Sequence, residues 1–243
     1  MLREAGNRMI TCGVCKAEND EFAIVCVKCR SYIQNRIPNL DFFDTVWKVI
    51  ESPRRAFHDI TLAEHKNYSL LLFALFGIGL SLTGFWYFRL GSRFESLLDM
   101  LAEATVIGVG LGLFSAGLFT LIFELMVKIL RGKGAVRNSL GILAYSTTPI
   151  SLTLALILPI ELLTFGMYLF TSNPSPYSMK PGMYIALVAF DSVMALWAFL
   201  LSVVGTSVAK QLSLARSFLA IIVTTTVSLG VLFWAAKELI RYV

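Results

Sequence analysis

Long apolar blocks separated by short polar breaks fill the chain from about residue 67 to its end. A helix needs about 20 apolar residues to cross a bilayer, and five blocks reach or approach that length. These blocks cover residues 68–88, 102–130, 140–170, 183–209 and 218–236. The pattern predicts an all-α polytopic membrane protein whose five transmembrane helices occupy residues 67–243.

Two of these blocks carry further signals. Pro149 and Pro159 interrupt the third, and each removes a backbone donor, so we expect kinks or breaks there. The second block has small residues at intervals of four, which let another helix approach closely. These residues are Ala104, Gly108, Gly112 and Ala116. We interpret this stripe as packing within the chain rather than as a homodimer interface.

A different pattern occupies residues 40–66, where apolar side chains recur at helical spacing among charged ones. Ser52 and Pro53 mark the restart of a helix within it. Its bulky apolar residues are Phe42, Phe43, Val46, Trp47, Ile50 and Phe57. We predict amphipathic juxtamembrane helices that lie on the membrane surface. The alternative is a small soluble helix that packs on a partner of its own.

All four cysteines lie in two Cys-x-x-Cys pairs, Cys12 with Cys15 and Cys26 with Cys29, ten residues apart. This spacing is typical of a zinc ribbon, because two such turns can complete a tetrahedron of sulfurs. We therefore predict a zinc-ribbon-like knuckle over residues 9–33 that holds a structural Zn²⁺. The alternatives are a redox pair, disulfides, or iron in place of zinc.

Composition and charge agree with a membrane location. Hydrophobic residues make up 56% of the chain and charged residues only 15%, and the net charge is +5. With five spans, 16 of the 21 basic residues fall on the N-terminal side of the membrane. The positive-inside rule then places the N-terminus in the cytoplasm and the C-terminus outside, in the cell membrane. The N-terminal residues have no apolar signal-peptide region. The expected partners are the bilayer and its anionic headgroups, and no nucleic acid.

Polar residues inside the predicted spans are candidates for a site, because an ionised side chain there costs at least about 2.5–3.5 kcal/mol. Asp191 is the foremost candidate, and Glu161 follows Pro159, where freed carbonyls and water could satisfy it. The full candidate site comprises Asp191, Glu161, Tyr145, Thr148 and Thr225. Either these residues line a polar cavity, or they only hold the helices together by hydrogen bonds.

Glu124 is a further acid in a predicted span, and it lies one helical turn before Lys128. Residues four apart on a helix are neighbours, so we expect the two side chains to pair.

Three segments in order resemble the Yip-one family of Ypt/Rab-interacting membrane proteins, in particular its bacterial and archaeal branch. They are WKVIESPRRAFHDI, ILAYSTTPISL and WAFLLSVVGTSVAKQLSLARSFLAII, within residues 42–229. The resemblance implies five spans and a non-catalytic membrane role. The Asp-Leu-Tyr-Gly-Pro segment of the eukaryotic members is missing, so their binding of small GTPases is not carried over.

Two functions follow from these features. The first is a non-enzymatic protein that organises or shapes the membrane and recruits a cytoplasmic protein partner through the zinc ribbon. The second is a transporter or lipid-moving protein that uses a polar cavity around Asp191. The chain has no HExxH, GxSxG or P-loop motif, so we expect no catalytic residues and no enzyme.

Overall fold

The computed structural model describes residues 9–34 and 37–241, with side chains up to residue 238. In this part of the chain, five helical segments are long and apolar enough to cross a membrane. They cover Ser69–Tyr87, Leu97–Ile129, Val136–Phe170, Pro181–Ala209 and Leu214–Glu238. The predicted all-α polytopic fold with five spans is therefore confirmed. The predicted exterior C-terminal residue, Val243, lies outside the described residues.

The segment before the spans contains a small ribbon and two short helices. Strands β1 (Met9–Thr11) and β2 (Glu18–Asp20) pair antiparallel. Helix α1 covers Phe42–Glu51, and its N-cap Asp41 accepts a hydrogen bond from a backbone N–H of the first turn. Helix α2 covers Pro53–Leu62 and begins with a proline, whose missing donor is not needed at that position.

Four of the five spans are single helices, whereas the third is segmented. Helices α3 (Ser69–Tyr87), α4 (Leu97–Ile129), α9 (Pro181–Ala209) and α10 (Leu214–Arg241) are continuous. A short helix α8 (Pro176–Met179) precedes α9.

The third span is divided at the positions that its two prolines predict. Helix α5 (Val136–Ser146) is followed by α6 (Thr148–Leu152), which has Pro149 near its start. A π-helical turn over Thr153–Ile157 leads into α7 (Leu158–Phe165), which has Pro159 near its start. A 3₁₀ turn, Gly166–Phe170, completes the span.

Helices α3 and α4 form the closest contact between spans. A Cβ atom added at Gly77 of α3 would overlap the backbone of Gly108 and Gly112 on α4. Ala104 and Ala116 are buried on the same face of α4. The small-residue stripe thus packs within the chain, as predicted, and brings the two helices close enough for backbone contact.

The ribbon, α1, α2 and two interhelical loops lie at one end of the bundle, here called the ribbon end. The α4–α5 and α9–α10 loops meet there, where Lys133 N donates to the carbonyl oxygen of Lys210 at 3.1 Å. The ribbon contacts the bundle through the rings of Phe22 and His58, whose centroids lie 5.4 Å apart. It also contacts the α9–α10 loop, because Gln211 Nε2 donates to Asp20 Oδ2 at 3.5 Å.

Candidate functional site: a cysteine ribbon and an intramembrane cavity

The ribbon brings its four cysteine sulfurs together, all within 4.8 Å of one another. The Sγ atoms of Cys12 and Cys29 are 3.6 Å apart, and those of Cys15 and Cys26 are 3.5 Å apart. Tetrahedral zinc, with bonds of about 2.3 Å, separates its sulfur ligands by about 3.8 Å. The cluster therefore has the composition and the spacing of a four-thiolate metal site.

The same backbone turn builds both halves of this cluster. The carbonyl oxygen of Cys12 accepts from Lys16 N at 3.0 Å, and that of Cys26 accepts from Arg30 N at 3.0 Å. Lys16 and Arg30 both have positive φ, at 60° and 58°. Each Cys-x-x-Cys pair is thus folded into a tight knuckle that directs its two sulfurs to the same point.

Hydrogen bonds from the knuckles favour the thiolate form of two cysteines. The backbone N–H of Cys15 and the Ser31 hydroxyl lower the pKa of Cys12 to about 6, and the backbone N–H of Cys29 lowers the pKa of Cys26. The backbone N–H of Ala17 lowers the pKa of Cys15, but burial and the neighbouring sulfurs outweigh it and bring this pKa to about 11. Since metals bind thiolates, the donors around Cys12 and Cys26 favour a metal in the cluster.

Apolar side chains on the ribbon face outward. Val14 and Val27, one within each knuckle, are 74% and 79% exposed, and Tyr32 is 73% exposed. A domain this small has few apolar residues to bury, so three exposed ones are available for contact with a partner or a membrane.

The predicted membrane-surface stripe divides between two environments. Phe43 and Trp47 are 79% and 66% exposed, so they remain candidates for contact with lipid. Phe42 is half-buried and packs edge-on against Tyr68. Val46 and Ile50 are also half-buried.

Phe57 does not belong to an exposed face, which corrects the prediction for this residue. It is fully buried in α2, because α2 packs on α9 and α5. A Cβ atom added at Gly205 of α9 would touch the Phe57 ring and Ile142 of α5. The spacing of apolar residues shows that α2 has an apolar face, but it does not show whether lipid or protein covers that face.

A cavity of about 550 Å³ lies between α3, the segmented third span, α9 and α10. Glu161, Asp191 and Thr225 of the predicted site line it. Tyr145 and Thr148 are buried elsewhere. The Tyr145 hydroxyl donates to the carbonyl oxygen of Asn67 at 2.7 Å, and the Thr148 hydroxyl donates to that of Tyr145 at 2.7 Å. Tyr145 thus links the third span to the segment before α3, the Thr148 bond stays within the third span, and the other three residues face the cavity.

The carboxyl groups of Glu161 and Asp191 line the same cavity and interact electrostatically with each other. Glu161 is 9% exposed and Asp191 is half-buried. Two ionised carboxylates that face each other repel, so this arrangement favours a pair that holds one proton. Among the described residues, each acid has only the other as an electrostatic partner. The sequence pattern indicated both residues, but it suggested freed carbonyls and water, rather than Asp191, as the partners of Glu161.

A sequence signal for this contact did exist. Glu161 lies nine residues before the end of the third span at Phe170, and Asp191 lies ten residues after the start of α9 at Pro181. Because consecutive spans run antiparallel, equal distances from the connecting loop place two residues at the same depth.

Glu124 also has a partner that its sequence neighbours did not predict. Its Oε1 accepts a hydrogen bond from Lys210 Nζ at 2.6 Å, so the expected pairing with Lys128 is wrong. Lys210 is fully buried, and it also donates to the carbonyl oxygen of Ala135 at 3.3 Å. The Ser139 hydroxyl donates to the same Glu124 oxygen. This cluster joins α4, α5 and the α9–α10 loop at the ribbon end, and its positive and negative charges are matched.

Comparison with known proteins identifies the spans but not the ribbon. No curated protein and no solved structure matches the chain significantly. The family model of the Yip1 domain matches residues 47–236, which include α2 and all five spans, and the cysteine ribbon precedes the match. Because the match covers well over half of its length, the chain belongs to the Yip1 domain family.

Proposed function

We propose that this protein is a non-enzymatic member of the bacterial and archaeal Yip branch that organises the membrane and recruits a protein partner through a zinc ribbon. The observation that supports this proposal is the ribbon itself. It is held at one end of the bundle, yet Val14, Val27 and Tyr32 are exposed. Four thiolates would fill the coordination sphere of Zn²⁺, so the metal would stabilise the fold and leave no position for a substrate.

The ribbon end faces the cytoplasm of the cell in this proposal. The exposed aromatic rings of Phe43 and Trp47 would enter the cytoplasmic leaflet, beside anionic headgroups. A cysteine placed at Ser175, in the loop of the opposite end, would then react with an impermeant maleimide added to intact cells. A cysteine placed at the exposed Ala135 would not react, and the reverse labelling pattern would overturn this orientation.

Site-specific photo-crosslinking tests the recruitment of a partner. A photoreactive residue at Val27 should give one reproducible protein adduct in intact cells. The same residue at Glu18, an exposed position on β2, serves as the matched control and should not give that adduct. The adduct should disappear in the Cys12→Ser/Cys15→Ser variant, which should also lose the single zinc ion expected per chain. Adducts with lipid alone, or an adduct that survives loss of the metal, would contradict the proposal.

The intramembrane cavity favours a second function, that of a transporter or lipid-moving protein. Its volume and its acid pair are the specific observations that support it. In reconstituted vesicles, the protein should then speed the exchange of a fluorescent phospholipid between leaflets, and Asp191→Asn should slow it. Exchange at the rate of protein-free vesicles would exclude this function.

A further inference from the structure

The cavity is long and narrow. Its lining includes residues from Phe73 to Trp86 on α3 and from Val188 to Ser202 on α9. At a rise of 1.5 Å per residue, each stretch is about 20 Å long. The volume of about 550 Å³ lies within the usual range for sites that bind small molecules. A volume of this size spread over such a length suits a single hydrocarbon chain.

The chemistry of the lining agrees with this shape. Most of the lining is apolar, with aromatic rings such as Phe76 and Phe199 and aliphatic side chains such as Leu154 and Leu229. The polar side chains are hydroxyls, apart from one carboxyl pair. Among the described residues, no lysine, arginine or histidine lines the cavity.

The negative charge of the two acids indicates which class of ligand suits the cavity. Glu161 and Asp191 face each other in the cavity, where repulsion favours one proton on the pair, and a pair with a single proton carries one negative charge. A charge in apolar surroundings is costly unless it is paired, as Glu124 is by Lys210. No described side chain supplies the corresponding cation to Glu161 and Asp191. A ligand that carries a positive charge would supply it.

We propose that this cavity binds a single-chain amphiphile whose head is a protonated amine. The ammonium group donates to the carboxyl oxygens of Glu161 and Asp191, and the hydrocarbon chain lies along the apolar walls formed by α3 and α9. A neutral alcohol of the same length gains the apolar contacts without the ion pair, and an anionic head is repelled. This proposal rests on one part of the second candidate function, namely that the cavity admits a lipid-like molecule. It does not require that the protein moves lipids.

Fluorescence of Trp86, which lines the cavity, reports on binding. In purified protein, the other three tryptophans are replaced in the variant Trp47→Phe/Trp197→Phe/Trp234→Phe. Dodecylamine should bind at least about tenfold more tightly than dodecanol, and a tenfold difference in affinity corresponds to about 1.4 kcal/mol. Dodecanoate should bind more weakly than dodecanol.

Conservative variants separate the ion pair from simple partitioning into detergent. The double variant Glu161→Gln/Asp191→Asn removes the negative charge of the pair, so it should weaken dodecylamine binding at least about tenfold and leave dodecanol binding unchanged. Glu103→Gln is the matched control, because Glu103 is an exposed acid of α4 outside the cavity, and this variant should bind dodecylamine like the parent. Equal affinities for the amine and the alcohol, or unchanged amine affinity in the double variant, would overturn the proposal. Amine binding without lipid exchange in vesicles would exclude lipid movement and support the site.

Discussion

Two sites with buried or half-buried acids lie in the described spans, and they differ in how their charge is matched. At the ribbon end, Glu124 accepts a hydrogen bond from the fully buried Lys210 at 2.6 Å and another from Ser139. Between the third span and α9, Glu161 and Asp191 have only each other as charged partners among the described residues, beside a cavity of about 550 Å³.

This difference separates a structural site from one suited to a ligand. A buried ion pair whose partners come from different helices fixes those helices relative to one another, and removal of either partner is costly. Glu124 and Lys210 meet this description, since they join α4 to the α9–α10 loop. An acid pair without a cation, next to an open volume, gives less stability and leaves a charge that a ligand can match.

The largest expected effect is that of Lys210→Met, which leaves Glu124 buried without its cation. We expect the free energy of unfolding in detergent to fall by about 3–5 kcal/mol. The double variant Glu124→Gln/Lys210→Met should recover most of this loss, because it removes the unpaired charge. A single variant as stable as the parent would show that this pair does not hold the ribbon end together.

Asp191→Leu should have an intermediate effect. The change removes the polar neighbour of the buried Glu161, which costs about 1–3 kcal/mol for a buried polar group left without a partner, but it leaves no stranded cation. Thermal unfolding in the same detergent measures the loss. A destabilisation as large as that of Lys210→Met would mean that both acidic sites are structural.

Asp191→Asn should have the smallest effect, and the same chemical change at Glu124 should give the clearest contrast with it. The asparagine amide of Asp191→Asn can donate a hydrogen bond to Glu161, so the free energy of unfolding should change by less than about 1 kcal/mol. Glu124→Gln is the same chemical change, but it strands the buried Lys210 and should destabilise the protein severalfold more. Equal losses in the two variants would remove the distinction between the sites.

Local sequence patterns predicted the features that depend on local rules. The five spans, the breaks near Pro149 and Pro159, and the Cys-x-x-Cys turns each follow from neighbouring residues. Hydropathy, the missing proline donor and ligand spacing are properties of short stretches of chain, so no knowledge of the packing was needed.

Those local rules could not predict contacts between segments that are far apart in the sequence. The four-residue spacing rule compared Glu124 only with Lys128 on its own helix, whereas the actual partner, Lys210, is 86 residues away. Lys210 was counted as a loop residue that sets membrane orientation, and nothing in its neighbourhood indicates that it is buried. Phe57 was placed on the membrane surface because periodicity identifies an apolar face and not the element that covers it.

The central claim is that Glu161 and Asp191 share a proton while Glu124 is ionised, and infrared spectroscopy at neutral pH tests it most directly. A protonated carboxyl group gives a C=O band that an ionised carboxylate lacks. The parent protein should show this band. The double variant Glu161→Gln/Asp191→Asn should lose it, and Glu124→Gln should retain it unchanged. A band that is absent from the parent protein, or one that disappears in Glu124→Gln, would contradict the account.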